Sequence, residues 1–198
     1  MATTDQKRYP VGMPIQAAAE AMELILGRHR PTPDQIVDIE CRLPSHGARI
    51  VGDRTIPDIN LQYVLAVQVL DGRLTFESAH DYERISDPAT QRLMERINLV
   101  ADDSLEPPDV ASPETRRTRI ADLRIRLTDG TELRERVDGP LGTRFRPFGW
   151  NHLAEKAHMV LDGSHGSDFA DELVAIVQTL GSRSVIADLQ PLLRVPAM

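Results

Sequence analysis

Lys7 is the side chain of this sequence whose type and position are best suited to chemistry. It lies in the run Lys7-Arg8-Tyr9-Pro10-Val11-Gly12 and is one of two lysines, with Lys156, among 23 cationic residues. An ammonium group binds a carboxylate as a point charge, and it acts as a base when desolvation removes its proton. The alternative is a solvated residue of a fraying tail, which is the usual state of a lysine so close to the N-terminus.

The residues that follow Lys7 suit an anion site. Pro10 limits the backbone freedom of this run. Gly12, just before a predicted helix, allows a ligand to approach the backbone amides at the helix N-terminus, which is a natural site for an anion. Gln16 lies one turn into the same helix and is expected to donate a hydrogen bond to that ligand. Lys7, Tyr9, Gly12 and Gln16 are therefore the candidate site residues.

Two other polar features are weaker candidates for a functional site. His80-Asp81 has the composition of a general base, because histidine titrates near neutrality, but we interpret it as hydrogen-bonding groups on a helix surface. Residues 116–146 include nine arginines and five acidic residues. We interpret most of these arginines as the solvated face of a sheet, with docking of an acidic partner as the alternative.

Composition excludes several classes of function. The net charge of −7 argues against general binding of nucleic acid or of a membrane surface. The dinucleotide, phosphate-loop, zincin and serine-hydrolase motifs are missing from the sequence, and its six histidines include no pair at i, i+4. These common signatures are therefore excluded, and a metal site is not expected.

Cysteine content and hydropathy bear on location. Cys41 is the only cysteine, so it forms no internal disulfide, and we interpret it as a core residue of a protein in a reducing compartment. The N-terminus lacks the pattern of a signal peptide, and no apolar run approaches the ~18 residues of a membrane span. A cytoplasmic location is expected.

Hydrophobic periodicity predicts the elements that must position these residues. Helices are indicated by a 3.6-residue period and by start and stop signals, and strands by alternation and turn residues. The predicted helices are 13–26, 61–70, a shorter one from Thr75 through Asp81 and Tyr82, 88–96, 150–161, 167–180 and 184–193. The predicted strands are 35–43, 120–127 and 132–138, with 97–100 as a further candidate.

The strands are too few and too widely spaced for a doubly wound parallel sheet. The expected fold class is α+β, with a mainly antiparallel sheet packed against helices. Residues 1–198 are treated as one unit, in which 1–12 form an N-terminal active-site segment. Residues 102–117 have little hydrophobic period and several prolines, so they are predicted to be a surface loop.

Three stretches of the sequence carry a resemblance to a known family. They are residues 7–18 (KRYPVGMPIQAA), 56–72 (IPDINLQYVLAVQVLDG) and 75–81 (TFESAHD). Together they resemble the MmgE/PrpD family, whose members include 2-methylcitrate dehydratase, cis-aconitate decarboxylase and an iminodisuccinate epimerase. The likeness extends to the Asp129-Gly130 hairpin and to the closing helices. Members of the family are typically more than twice as long and have a large all-helical domain and a smaller α+β domain. This chain is similar to the small α+β domain alone.

The resemblance implies a role for the N-terminal run. In the family, the lysine of this run lines an active site between the small domain and a large all-helical domain. Lys7 is therefore implied to be catalytic, with Tyr9, Gly12 and Gln16 as substrate-binding residues. The implied chemistry is cofactor-free proton abstraction or delivery α to a carboxylate of a di- or tricarboxylic acid, with cationic side chains stabilising the developing charge.

Departures from the family pattern narrow the choice of reaction. Some decarboxylase-like members have a histidine where this chain has Gly12, and a tyrosine where it has Ile50 or Val51. These differences favour a dehydratase or an isomerase (epimerase) over a decarboxylase, and they do not select between those two.

The missing helical domain implies a partner. We expect the chain to be the small subunit of a split enzyme, paired with a separately encoded all-helical MmgE/PrpD subunit and assembled further into a dimer, as is usual in the family. The surface that faces this partner should be apolar. The alternative is a non-catalytic partner that binds a carboxylate or regulates a helical subunit.

Overall fold

The computed structural model of the chain describes residues 5–106, 119–144, 146–180 and 189–192. Contacts between residues divide the chain into two compact units, Met1–Pro147 and Phe148–Met198. The treatment of residues 1–198 as one small-domain unit stays a prediction. Residues 103–105 of the predicted 102–117 loop form a single 3-10 turn, and residues 107–117 lie outside the described part.

A four-stranded sheet forms the centre of the first unit. Its strands are β1 (Ile36–Leu43), β2 (Ile97–Ala101), β3 (Ala121–Leu127) and β4 (Glu132–Val137), in the spatial order β2-β1-β3-β4. β1 pairs with β2 in parallel, and the other two pairings are antiparallel. The α+β class with a mainly antiparallel sheet is therefore confirmed.

The β3–β4 hairpin follows from its turn residues. Gly130 has a φ of 86°, a left-handed conformation that glycine adopts without a steric penalty. The side chain of Asp129 accepts a hydrogen bond of 2.8 Å from the backbone N–H of Thr131. This local chemistry sets the register in which Ile125 lies opposite Leu133.

The two faces of the sheet differ in polarity. Ile39, Cys41, Leu123 and Ile125 are buried on one face. Burial raises the pKa of the Cys41 thiol, which agrees with its interpretation as a core residue. The arginines of β3 and β4 lie on the other, exposed face, as predicted.

Five α-helices accompany this sheet. They are α1 (Gln16–His29), α2 (Ser45–Val51), α3 (Leu61–Asp71), α4 (Phe76–Ala79) and α5 (Pro88–Met94). α1 packs against β3, β4 and α3, and its four fully buried alanines allow this close approach. α3 is apolar almost all round, and it is buried as its composition predicts.

Two helices of this unit depart from the prediction. α2 was not predicted, because it has only seven residues, follows Pro44 and has no side-chain cap. The helix predicted from Thr75 through Tyr82 ends at Ala79. Beyond it, the side chain of Asp81 accepts hydrogen bonds from the backbone N–H groups of Glu83 and Arg84, which favours a turn over a continued helix.

The second unit contains a pair of helices in contact with each other. α6 (Trp150–His165) and α7 (Ser167–Thr179) are joined at Gly166, whose φ of 85° suits a sharp break between helices. The predicted helix 184–193 lies largely outside the described residues, and residues 189–192 form a turn. No described helix has both the length and the hydrophobicity required to cross a membrane.

Candidate functional site

The residues around Lys7 form an ordered part of the first unit. We call residues 5–12 the Lys7 segment. Tyr9 and Val11 are 3% and 1% exposed, so the segment contributes to the core. The Lys7 side chain, in contrast, is exposed. The fraying tail that a terminal lysine suggests is therefore not observed.

Gln16, the first residue of α1, holds the backbone of this segment. Its Oε1 accepts a hydrogen bond of 3.0 Å from the N–H of Tyr9. Its Nε2 donates to the carbonyl oxygens of Tyr9 and Val11, at 2.9 Å and 3.2 Å. Three backbone groups that burial would leave without water are satisfied in this way.

The bonding of Gln16 limits what else it does. The side chain is 1% exposed, and both of its amide N–H groups are used. A ligand contact would require one of these bonds to open, so the observed role of Gln16 is to fix the backbone next to Lys7. The substrate contact predicted for Gln16 stays a prediction.

Tyr9 is anchored at its ring as well as at its backbone. Its hydroxyl donates to a carboxylate oxygen of Glu23, on α1, and Arg8 donates to the other oxygen of that carboxylate at 3.1 Å. Burial, followed by the charge of Glu23, raises the pKa of the Tyr9 phenol. The phenol therefore stays protonated as a donor to Glu23, and the substrate contact predicted for Tyr9 stays a prediction.

Gly12 ties the end of the Lys7 segment to the turn before α3. Its N–H donates to the carbonyl oxygen of Asp58 at 2.8 Å, so this amide has a protein partner. Its φ of −53° is open to any residue. A Cβ added here would lie 3.4 Å from Cγ2 of Ile59, an ordinary contact, so glycine is not required by strain. The predicted role of Gly12 in substrate binding stays a prediction.

Lys7 thus differs from the other three predicted site residues. Tyr9, Gly12 and Gln16 use their polar groups in hydrogen bonds within the protein, whereas Lys7 is an exposed cation on a fixed backbone. A cation placed in this way binds a carboxylate with less loss of chain entropy than a lysine on a mobile tail does. The four residues therefore lie close together, but Lys7 is exposed and the other three make hydrogen bonds within the protein.

Two acids of α1 were missed by the sequence reasoning. Glu20 and Glu23 follow Gln16 at i+4 and i+7, so the three side chains lie along one side of the helix. Glu20 is 2% exposed. The sequence signal for these acids was three polar residues at helical spacing within an otherwise apolar helix.

His80 and Asp81 take part in local structure. Nδ1 of His80 lies 2.7 Å from the carbonyl oxygen of Phe76, and the two rings are in contact. Asp81 accepts bonds from the following turn. Each group thus makes local hydrogen bonds, as interpreted, but both residues follow α4 and do not lie on a helix surface.

The exposed face of the sheet carries a shallow polar pocket whose charges are paired. Arg42 pairs with Asp102, Arg134 with Asp122, and Arg124 with Glu40. Hydrogen bonds from Arg134 hold the pKa of Asp122 below its ordinary value. Because acids neutralise these arginines, the face gives little support to docking of an acidic partner. Within the described ranges, no group of three His, Cys, Asp or Glu residues is placed to hold a metal ion.

Comparison with known families assigns the chain to a family. It matches the model of the MmgE/PrpD C-terminal domain over residues 9–181, while no curated protein matches it. Tyr9, Gly12 and Gln16 lie inside the matched range, and Lys7 lies two residues before it. A match over most of the chain, together with the α+β fold and the ordered N-terminal run, shows that the chain belongs to the MmgE/PrpD family through its C-terminal domain.

Proposed function

We propose that this chain is the small subunit of a split MmgE/PrpD-type enzyme that acts on a di- or tricarboxylic acid. An all-helical MmgE/PrpD subunit, encoded separately, forms the other half of the active site. The observation that carries the proposal is the exposed residue Lys7 on a segment fixed by Gln16 and Glu23. Pre-organised cations of this kind stabilise charge that develops on a substrate carboxylate.

The proposed reaction is proton abstraction or delivery α to a carboxylate. Dehydration or epimerisation is favoured over decarboxylation, because Gly12 provides no imidazole and Ile50 and Val51 provide no phenol. Lys7 binds a carboxylate of the substrate and stabilises the negative charge that builds up next to it. The helical subunit contributes the remaining acid and base groups, so the chain alone is expected to have no turnover.

The apolar surface of the second unit supports the proposal of a partner. Apolar side chains of α6 and α7, such as Leu153, Val160, Phe169 and Leu173, are only half-buried, and Trp150 is 49% exposed. Helices of this length gain most of their stability from packing an apolar face. A helical subunit that covers this face would complete the packing, and a further dimer of the complex would follow the family's usual assembly.

Reconstitution with the helical subunit tests the proposal. The mixture should turn over a di- or tricarboxylate, and Lys7→Met should lower kcat/KM by about 100-fold or more, as the loss of one pre-organised charge contact does. The matched control is Lys156→Met, which removes the other lysine and should leave turnover unchanged. Turnover that is equal in Lys7→Met and in the unmodified chain would remove Lys7 from the active site.

The alternative function is a non-catalytic one. Tyr9, Gly12 and Gln16 make internal hydrogen bonds, whereas Lys7 is an exposed cation of the segment. An ammonium can bind a carboxylate as a point charge without transforming it. In that case, the chain would bind a helical subunit or a carboxylate, and the mixture would show no turnover of any di- or tricarboxylate. Binding without turnover therefore separates the two functions.

A further inference from the structure

A loop from the far end of the first unit lies against the Lys7 segment. We call residues 139–144 the 139–144 loop. The N–H of Gln6 donates to the carbonyl oxygen of Gly142 at 2.7 Å, and the N–H of Arg144 donates to Oδ1 of Asp5 at 3.3 Å. These bonds lie on the N-terminal side of Lys7, whereas Gln16 and Glu23 hold the segment on its C-terminal side.

Glu20 of α1 holds this loop in place. Its Oε2 accepts a hydrogen bond of 2.8 Å from the N–H of Leu141. Its Oε1 accepts one of 2.6 Å from Nη1 of Arg146, which also donates to the carbonyl oxygen of Gly139 at 3.1 Å. One carboxylate therefore binds the middle of the loop directly and its beginning through Arg146.

Burial makes this carboxylate important to the loop. The side chain of Glu20 is 3% exposed, and that of Arg146 is 48% exposed. Burying a carboxylate is costly unless a cation and hydrogen-bond donors compensate it, and here both come from the same short stretch of chain. If the charge of Glu20 were removed, Arg146 would have water as its competing partner, and the loop would lose its strongest attachment.

We propose that Glu20 and Arg146 are positioning residues for Lys7. Neither has been placed in contact with a substrate, and they act through the 139–144 loop, whose Gly142 binds Gln6, the residue before Lys7. The Lys7 backbone is then fixed on both sides, by Gln16 and Glu23 after it and by the loop before it. The functional importance of this positioning rests on the proposed function, but the positioning itself does not.

The amide of Gln6 provides a direct readout, because its N–H is the group that binds the loop. Hydrogen exchange of this amide is measured by NMR in the full chain and in Glu20→Gln and Arg146→Met. We expect exchange about tenfold faster or more in both variants, the effect of losing one charge-assisted hydrogen bond. Arg146→Lys, which keeps the charge, should recover part of the protection. Arg134→Gln, which breaks an ion pair on the sheet face, should leave this exchange unchanged.

The two lysines give a second readout. Reductive methylation with ¹³C labels Lys7 and Lys156 and keeps their charge. In Glu20→Gln and Arg146→Met, the methyl signal of Lys7 should sharpen as the segment gains motion, while the Lys156 signal stays unchanged. Arg146→Met keeps the test available if Glu20→Gln does not fold, because the arginine side chain is half-exposed.

The outcomes separate this inference from the proposed function. Unchanged Gln6 exchange and an unchanged Lys7 signal in Arg146→Met would overturn the positioning role. The same would follow if Arg134→Gln produced equal changes, since the effect would then be general destabilisation. If both readouts change as expected but Lys7→Met leaves turnover intact, the positioning role stands and the catalytic use of Lys7 fails.

Discussion

The two units of the chain differ in how completely they bury their apolar side chains. In the first unit, side chains such as Ile39, Leu65 and Leu123 have no exposed surface. In α6 and α7, Ala170 is the buried residue, and the larger apolar side chains are half-buried. The first unit thus has a core of its own, which holds Lys7 in place, whereas the helical pair leaves its larger apolar side chains partly exposed.

The sharpest test of this difference is a matched pair of leucine truncations in helices. Leu65→Ala, in α3, should lower the free energy of unfolding of the first unit by about 2–5 kcal/mol, because it opens a cavity in a closed core. Leu173→Ala, in α7, should cost less than about 1.5 kcal/mol, because part of its surface is already in water. Urea unfolding followed by circular dichroism measures both. Equal losses would show that the helical pair has a core as well.

A second pair of variants tests the attachment of the Lys7 segment to the core. Gln16 and Gln68 are each 1% exposed. Gln16→Leu should cost about 3 kcal/mol or more, because it leaves three backbone groups of Tyr9 and Val11 without their partner. Gln68→Leu should cost less than about 1 kcal/mol, because it loses one hydrogen bond, to Ala19. It also removes an Oε1 that has no hydrogen-bond partner in the described structure.

The measurement for this pair is urea unfolding together with amide exchange at Gly12, a group that Gln16 does not bind. Gln16→Leu should speed this exchange, since the whole segment is loosened. If Gln68→Leu destabilises the chain as much as Gln16→Leu, the special attachment of the segment is contradicted.

A smaller effect is expected from pH on the helical pair. His158 lies 2.9 Å from Asp162 on α6 and 3.3 Å from Asp171 on α7. Its hydrogen bond to Asp162 and the charges of both acids raise its pKa. A raised pKa in the folded state stabilises the pair fully below the unfolded value of about 6.5, and this contribution is lost as pH rises through the folded pKa.

The helical pair should therefore be more stable at roughly pH 6 than at roughly pH 9. Trp150 is the only tryptophan of the chain and the first residue of α6, so its fluorescence reports on this unit during urea unfolding. The difference should disappear in His158→Gln. A pH dependence that persists in this variant would assign it to another group.

Local features of the sequence were sufficient to predict much of the first unit. The apolar period of α3 and the Asp129-Gly130 turn gave elements that the structure confirms, because both depend on neighbouring residues. The helix α2 was missed, since seven residues without a cap carry no periodic signal. The 97–100 stretch was only a candidate strand, and its parallel pairing with β1 depends on residues distant in sequence.

The site was less predictable for the same reason. Lys7, Tyr9, Gly12 and Gln16 are close in sequence, so they could be grouped, but their tasks depend on burial that the sequence does not show. The contact of Glu20 with Arg146 spans 126 positions, and no local pattern points to it.

Amide hydrogen exchange across the Lys7 segment shows directly whether the backbone around Lys7 is fixed. The amides of Gln6, Tyr9 and Gly12 bind Gly142, Gln16 and Asp58. We predict that all three exchange as slowly as amides of α1 in the chain alone. Exchange of these three at the rate of an unfolded peptide would show that Lys7 lies on a frayed tail and would contradict the account.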